Sequence, residues 1–163
     1  MQFEHLIEIN DRLNPLIDAL TRDQLWRGLV LRAEQPMLFV SYLDECTHLA
    51  RETDAQERDT LTRELRYDAL RIRDTVTFTP QQNVRYDVPA QGEIPTSSLV
   101  VTIEEPQEGA LFVRFVYDDG RSEDDSMDAF YNEFRRSAYQ EADIDTIKMI
   151  RELAAQGRLQ PPV

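Results

Sequence analysis

From Tyr42 to Tyr117 apolar and polar residues alternate with a period of two, interrupted at intervals by turn residues, and a single long helical stretch follows, reaching Gly157. Alternation of this kind puts one face of each strand on a core and leaves the other in water. The links between consecutive strands are too short for a parallel crossover, so the sheet is expected to be mostly antiparallel, with six or seven strands. An α+β fold follows, in which a curved sheet wraps around the C-terminal helix. A helix laid across a concave sheet does not fill the space at both ends, and an interior pocket between the layers is the expected consequence.

The strands can be placed one by one. Phe3, His5, Ile7 and Ile9 share one face of the first, opposite Gln2, Glu4, Leu6, Glu8 and Asn10. A weak strand pattern over Thr47 to Glu52 ends in a polar turn. Leu61, Arg63, Leu65 and Tyr67 then share a face, as do Leu70, Ile72, Asp74, Val76 and Phe78. Val84, Tyr86 and Val88 form a shorter strand. Leu99, Val101 and Ile103 pair with Leu111, Val113, Phe115 and Tyr117 through the loop EPQEG.

Two helices complete the pattern. Thr21, with Asp23 and Gln24 behind it, is an N-cap and acidic first turn for a short helix that carries Leu25, Trp26, Leu29, Val30 and Arg32 and ends before Pro36. Trp26 is read as core against the sheet edge. The acidic run Glu123, Asp124, Asp125 stands where the long helix begins, at the positive end of its dipole. In that helix Met127, Phe130, Tyr131, Phe134 and Ala138 lie on one arc and Ile147, Ile150, Leu153 and Ala154 on another, turned by more than a quarter turn. The helix therefore bends or faces two neighbours. Asp143 is a candidate cap for a second segment, with Gly157 as its C-terminal stop.

Charge and composition exclude several classes. With 163 residues, 41% of them hydrophobic, one domain spanning 1–163 is expected. The net charge of −13 repels nucleic acid and anionic membrane surfaces. No segment approaches the length of apolar residues needed for membrane insertion. The single Cys46 fits a reducing compartment, and the expected location is cytoplasmic. Two histidines and one cysteine make a structural zinc site unexpected, and phosphate loops, nucleophile elbows and zinc helices are missing, so no cofactor or metal is expected. The oligomeric state is left open.

Polar residues on apolar strand faces are the candidate site. His5, Arg63 and Asp74 point inward if the alternation holds, and burial without partners is costly. Arg63 and Asp74 can pair by charge-assisted hydrogen bonds. Together they offer a polar spot for a ligand's carbonyl, carboxylate or hydroxyl, unless a β-bulge reverses the parity and sends them to solvent. Tyr86 and Tyr117 bring hydroxyls to the same faces, either as ligand donors or as ordinary core aromatics. Phe130 and Phe134 on the long helix are candidate cavity-lining residues. Cys46 and His48 share a face and raise a thiol-imidazole dyad, but no orienting third group is identifiable.

The segments FEHLIEIN, LTRDQLWRGLVLRAEQP and FRRSAYQEADIDTIKMIRELAAQGRL together resemble the AtaL-like family of the START-like (SRPBCC) helix-grip superfamily, over roughly residues 1 to 158. That superfamily includes birch-pollen-type allergens, polyketide cyclases and lipid-transfer domains. The resemblance implies a seven-stranded antiparallel sheet around the C-terminal helix with a hydrophobic cavity between them. It brings no catalytic residues with it. The expected function is binding of an apolar or amphipathic small molecule, lipid- or polyketide-like. Alternatives are a cyclase or aromatase using His5, Asp74 or a tyrosine as general acid or base, and a protein-interaction module.

Overall fold

The structure, a computed structural model, describes residues 2–120 and 129–161, with the side chains of the last helix described from residue 132 onward. The elements run β1 (Gln2–Glu8), α1 (Arg22–Glu34), a single 3-10 turn (Pro36–Leu38), β2 (Glu45–Thr53), β3 (Asp59–Tyr67), β4 (Leu70–Thr79), β5 (Asn83–Val88), β6 (Ser97–Gln107), β7 (Ala110–Asp118) and α2 (Ala129–Ala155). All seven strands join one curved antiparallel sheet in the order β1-β7-β6-β5-β4-β3-β2. Neighbours in space are neighbours in sequence except at β1, which pairs with β7 from Gln2↔Asp118 to Glu8↔Phe112.

Local chemistry accounts for the element ends. Thr21 closes a capping box on α1: its hydroxyl accepts from Gln24 N at 3.0 Å, and the Gln24 side chain accepts from Thr21 N at 2.9 Å. Gly157, at φ +72°, ends α2, with Arg158 N–H on the Leu153 carbonyl and Gly157 N–H on that of Ala154. Asn10 ties the chain leaving β1 to Leu20 through both its amide and its carbonyl oxygen. The hairpin between β6 and β7 is tighter than the sequence implies. Strand β6 continues through Glu105, Pro106 and Gln107 by way of a register shift between Glu104 and Gln107, where Pro106 owes no ladder hydrogen bond.

The core lies between the sheet, α1 and the second half of α2. Leu25, Leu29 and Ala33 from α1 meet Ile147, Ile150 and Leu153 from α2 over Leu61, Val76, Val84, Val101, Val113 and Phe115. The two helices touch at Gly28, where any Cβ would stand 2.7 Å from Ile150 Cγ2. Trp26 is partly buried against this core.

Helix α2 corrects one expectation. It is continuous through Asp143, which is fully buried and caps nothing. Its inward stripe is Arg135, Tyr139, Asp143, Thr146, Ile150 and Leu153, all within about 80° of arc at 100° per residue. Phe134 lies about 100° away on the same wheel and is 66% exposed, so it does not line the interior. The two apolar arcs leave a bend or two neighbours open; α2 runs as one helix, and four of the six residues on its inward stripe, Arg135, Tyr139, Asp143 and Thr146, carry polar groups. Met127, the acidic run Glu123, Asp124, Asp125 and the side chains of Phe130 and Tyr131 lie outside the described residues.

Candidate functional site

Along β3, β4, β5 and β7 a polar residue interrupts or ends the inward apolar run, whereas the inward residues of β6, Ile103, Val101 and Leu99, are apolar throughout. On β3 the sequence is Leu61, Arg63, Leu65, Tyr67; on β4 Phe78, Val76, Asp74, Ile72; on β5 Val84, Tyr86, Val88; on β7 Val113, Phe115, Tyr117. The first members are sealed in the core and the last members face a hollow. Between them runs a polar belt. The hollow is a cavity of about 550 Å³, walled by Phe39, Val40, Leu43, Leu65, Tyr67, Ile72, Val88, Ile94 and Leu99, with Arg32, Arg63, Tyr86, Tyr117, Arg135 and Tyr139 at its polar side.

Arg63 and Asp74 form the centre of the belt. They face each other across β3 and β4 and are joined twice, Nε to Oδ1 at 2.9 Å and Nη2 to Oδ2 at 2.6 Å. The third guanidinium nitrogen, Nη1, donates to the Ala33 carbonyl at the end of α1, 2.8 Å away, a favourable place for a cation. Burial works against the Arg63 charge, and the Asp74 carboxylate outweighs it, holding the guanidinium above its ordinary value. No bulge reverses the parity of β3 at this point; the register shift is on β2, between His48 and Ala50.

Arg32, in the last turn of α1, stands over the belt. Its Nε donates to Thr146 Oγ1 at 3.3 Å, and its guanidinium carbon is 5.2 Å from the Tyr86 ring centroid, as is that of Arg63. Burial opposes the charge of Arg32; the oxygens of Tyr86 and Tyr117 and the Asp143 carboxylate more than offset it.

The other side of the belt is a hydrogen-bonded group on α2. The Tyr117 hydroxyl donates to Asp143 Oδ1, and His5 Nδ1 lies 3.2 Å from Asp143 Oδ2. Tyr139 stacks on Tyr117 with ring centroids 4.1 Å apart, and Phe3 packs against both. Burial raises the Asp143 carboxyl above the ordinary carboxylate range, against the pull of Tyr117, His5 and Arg32. Burial and the adjacent Asp143 charge push the Tyr117 hydroxyl well up, so it stays protonated.

The structure thus brings Arg63, Tyr86 and Tyr117 to the cavity wall, places Asp74 behind Arg63, and turns His5 toward Asp143 rather than into the hollow. Arg32 and Asp143 are missed by strand alternation because both lie on helices. Their signal is a charged residue on a helix's inward face. Cys46 and His48 make no dyad: the His48 ring is bonded to the Glu34 carbonyl at 2.8 Å, and burial raises the Cys46 thiol. Among the described residues no group of three His, Cys, Asp or Glu side chains is placed to hold a metal ion, and no helix is long and apolar enough to cross a membrane.

Similar structures share this fold at low sequence identity. The di-domain ARO/CYC StfQ of the steffimycin biosynthetic pathway matches with a TM-score of 0.64 and 8% identity, over 95% of this chain and 51% of that one. The present chain therefore spans about half the length of StfQ. The allergen Ara h 8.0201 matches with a TM-score of 0.59 and 10% identity, covering 96% and 98% of the two chains. The Aha1 dimer from Colwellia psychrerythraea gives 0.58 and 12%, covering 93% and 96%. No curated protein matches the sequence. The fold is that of the START-like helix-grip proteins. The family model that matches is AtaL, acetylaranotin biosynthesis cluster protein L, and since it covers residues 7–157 the chain belongs to that family.

Proposed function

We propose that this protein binds an apolar or amphipathic small molecule, lipid- or polyketide-like, in the cavity between sheet and helices. The observation that carries the reading is a hollow of about 550 Å³ with largely apolar walls and a minority of polar groups, Asp118 and Asp119 among them, within the range of roughly 300–1,000 Å³ usual for small-molecule sites. Ligand contact is assigned to Arg63, Tyr86 and Tyr117, whose side chains reach the wall. The lone Cys46 fits a reducing, cytoplasmic setting.

The test is uptake of N-phenyl-1-naphthylamine, a neutral probe that fluoresces in apolar surroundings. The wild type is expected to bind it saturably at about one per chain. Leu99→Trp, which places an indole in the hollow, is expected to weaken uptake by tenfold or more while the protein still melts cooperatively. Equal uptake by both proteins would refute the reading.

A second reading, an enzyme of the cyclase or aromatase kind, draws on the Tyr117, Asp143 and His5 group. Asp143 has no exposed surface, so a proton reaching a substrate from this group passes through the Tyr117 hydroxyl. Of the groups considered, Tyr117 lines the cavity while His5 and Asp74 do not, so it is the one positioned to meet a substrate.

A further inference from the structure

The cavity's cationic side chains are unequally satisfied. A guanidinium carries five N–H donors in a planar fork. Arg63 directs three nitrogens to Asp74 and the Ala33 carbonyl, and Arg135 is engaged by Asp119 at 3.0 Å and the Tyr139 hydroxyl at 3.1 Å. Arg32 makes one such bond, from Nε to Thr146, and no carboxylate among the described residues lies within ion-pair distance of it. Beside it the Tyr86 hydroxyl is buried and has no hydrogen-bond partner of good geometry among the described residues. The carboxylate that acts on Arg32 through space is Asp143, whose two oxygens each already have a partner, Tyr117 and His5.

A cation and a hydroxyl left with open donors at the rim of an apolar hollow are costly unless something accepts from them. A ligand head group can do so. We propose that Arg32 and the Tyr86 hydroxyl form an anion seat, and that the ligand is an apolar molecule ending in a carboxylate, its head on these two groups and its body along Leu65, Val88 and Leu99. A carboxylate has two oxygens in one plane, matching the open edge of the guanidinium fork. It also carries a single charge, matching Arg32, the cavity cation without an ion-pair partner among the described residues. The inference rests on the proposed function, since it assigns the head group of the molecule that the cavity encloses.

The experiment compares naphthalene-2-carboxylate with naphthalene-2-carboxamide as competitors of N-phenyl-1-naphthylamine at pH 7.5. The wild type is expected to prefer the acid by roughly tenfold or more. In Arg32→Met that preference is expected to fall to near one, and in Tyr86→Phe to fall partway. The ratio is the readout, so a variant's general effect on the cavity cancels. Equal affinities in the wild type, or a preference that survives Arg32→Met, overturn the anion seat while leaving the cavity a binding site. Failure of both naphthalenes to displace a bound probe also overturns it. If the probe itself is not taken up, the binding function fails, and the seat with it. Should Arg32→Met not fold, Tyr86→Phe and the wild type decide: lowering the pH through the acid's own carboxyl pKa must remove the preference, and persistence of the preference refutes the seat.

Discussion

Arg63 and Asp74 retain only 3% and 4% of their exposure, and their doubly bonded geometry explains how two charges are tolerated there. Removing one partner of such a pair costs about 3–5 kcal/mol in general, because the other is left charged and buried. The pair thus fastens β3 to β4 and, through Ala33, both strands to α1. Asp143 is in a different position: it has two neutral or weakly basic partners, and burial raises its carboxyl. A carboxyl whose folded pKa lies above its unfolded value binds its proton more tightly when folded, so its contribution to stability declines as pH rises from the ordinary carboxylate range through the folded pKa. Asp143→Asn has no proton to lose. Thermal melts of both proteins from pH 4 to 8 are therefore expected to show the variant's Tm rising relative to the wild type with pH; a constant or falling difference contradicts the assigned environment. The strand members of the belt were legible in the sequence because parity alone puts Arg63, Asp74, Tyr86 and Tyr117 inward. Arg32 and Asp143 were not, since a single charge on a helix gives no periodic signal.

Helix packing follows from one small residue. Gly28 lets α1 approach α2 until Ile150 occupies the space of its missing side chain. Gly28→Ala gains up to about 1 kcal/mol of helix propensity, but the added carbon sits 2.7 and 2.8 Å from Ile150 Cγ2 and Cγ1, and such overpacking costs about 1–3 kcal/mol. Net destabilisation is expected. In a double-mutant cycle followed by urea unfolding, Ile150→Ala is expected to cost less in the Gly28→Ala background than in the wild type, with a coupling of at least about 0.5 kcal/mol; additive costs would show that the contact is relaxed. The elements themselves were readable from alternation, caps and turn residues. The long helix was the exception. Hydrophobicity points to Phe134, whereas the inward stripe begins with Arg135, Tyr139 and Asp143, which serve the polar belt rather than the core.

At the scale of the whole molecule, one sheet serves two purposes. Its inner face packs solidly against α1 and the second half of α2, then opens past the belt into a hollow walled by Leu43, Leu65, Ile72, Val88 and Leu99. The anchoring polar groups sit at the boundary, where packing on the core side holds them in place. Order of elements was enough to foresee a hollow; its position was not, because that depends on where α1 crosses the sheet. The most direct test is methyl NMR of the protein titrated with naphthalene-2-carboxylate. Methyl signals of Leu43, Leu65, Ile72, Val88 and Leu99 are expected to shift saturably, while those of Leu25, Val113 and Ile150 stay within a small fraction of that change. Shifts confined to the exposed Leu13 and Leu16, or no saturable shift at the cavity methyls, would contradict the account.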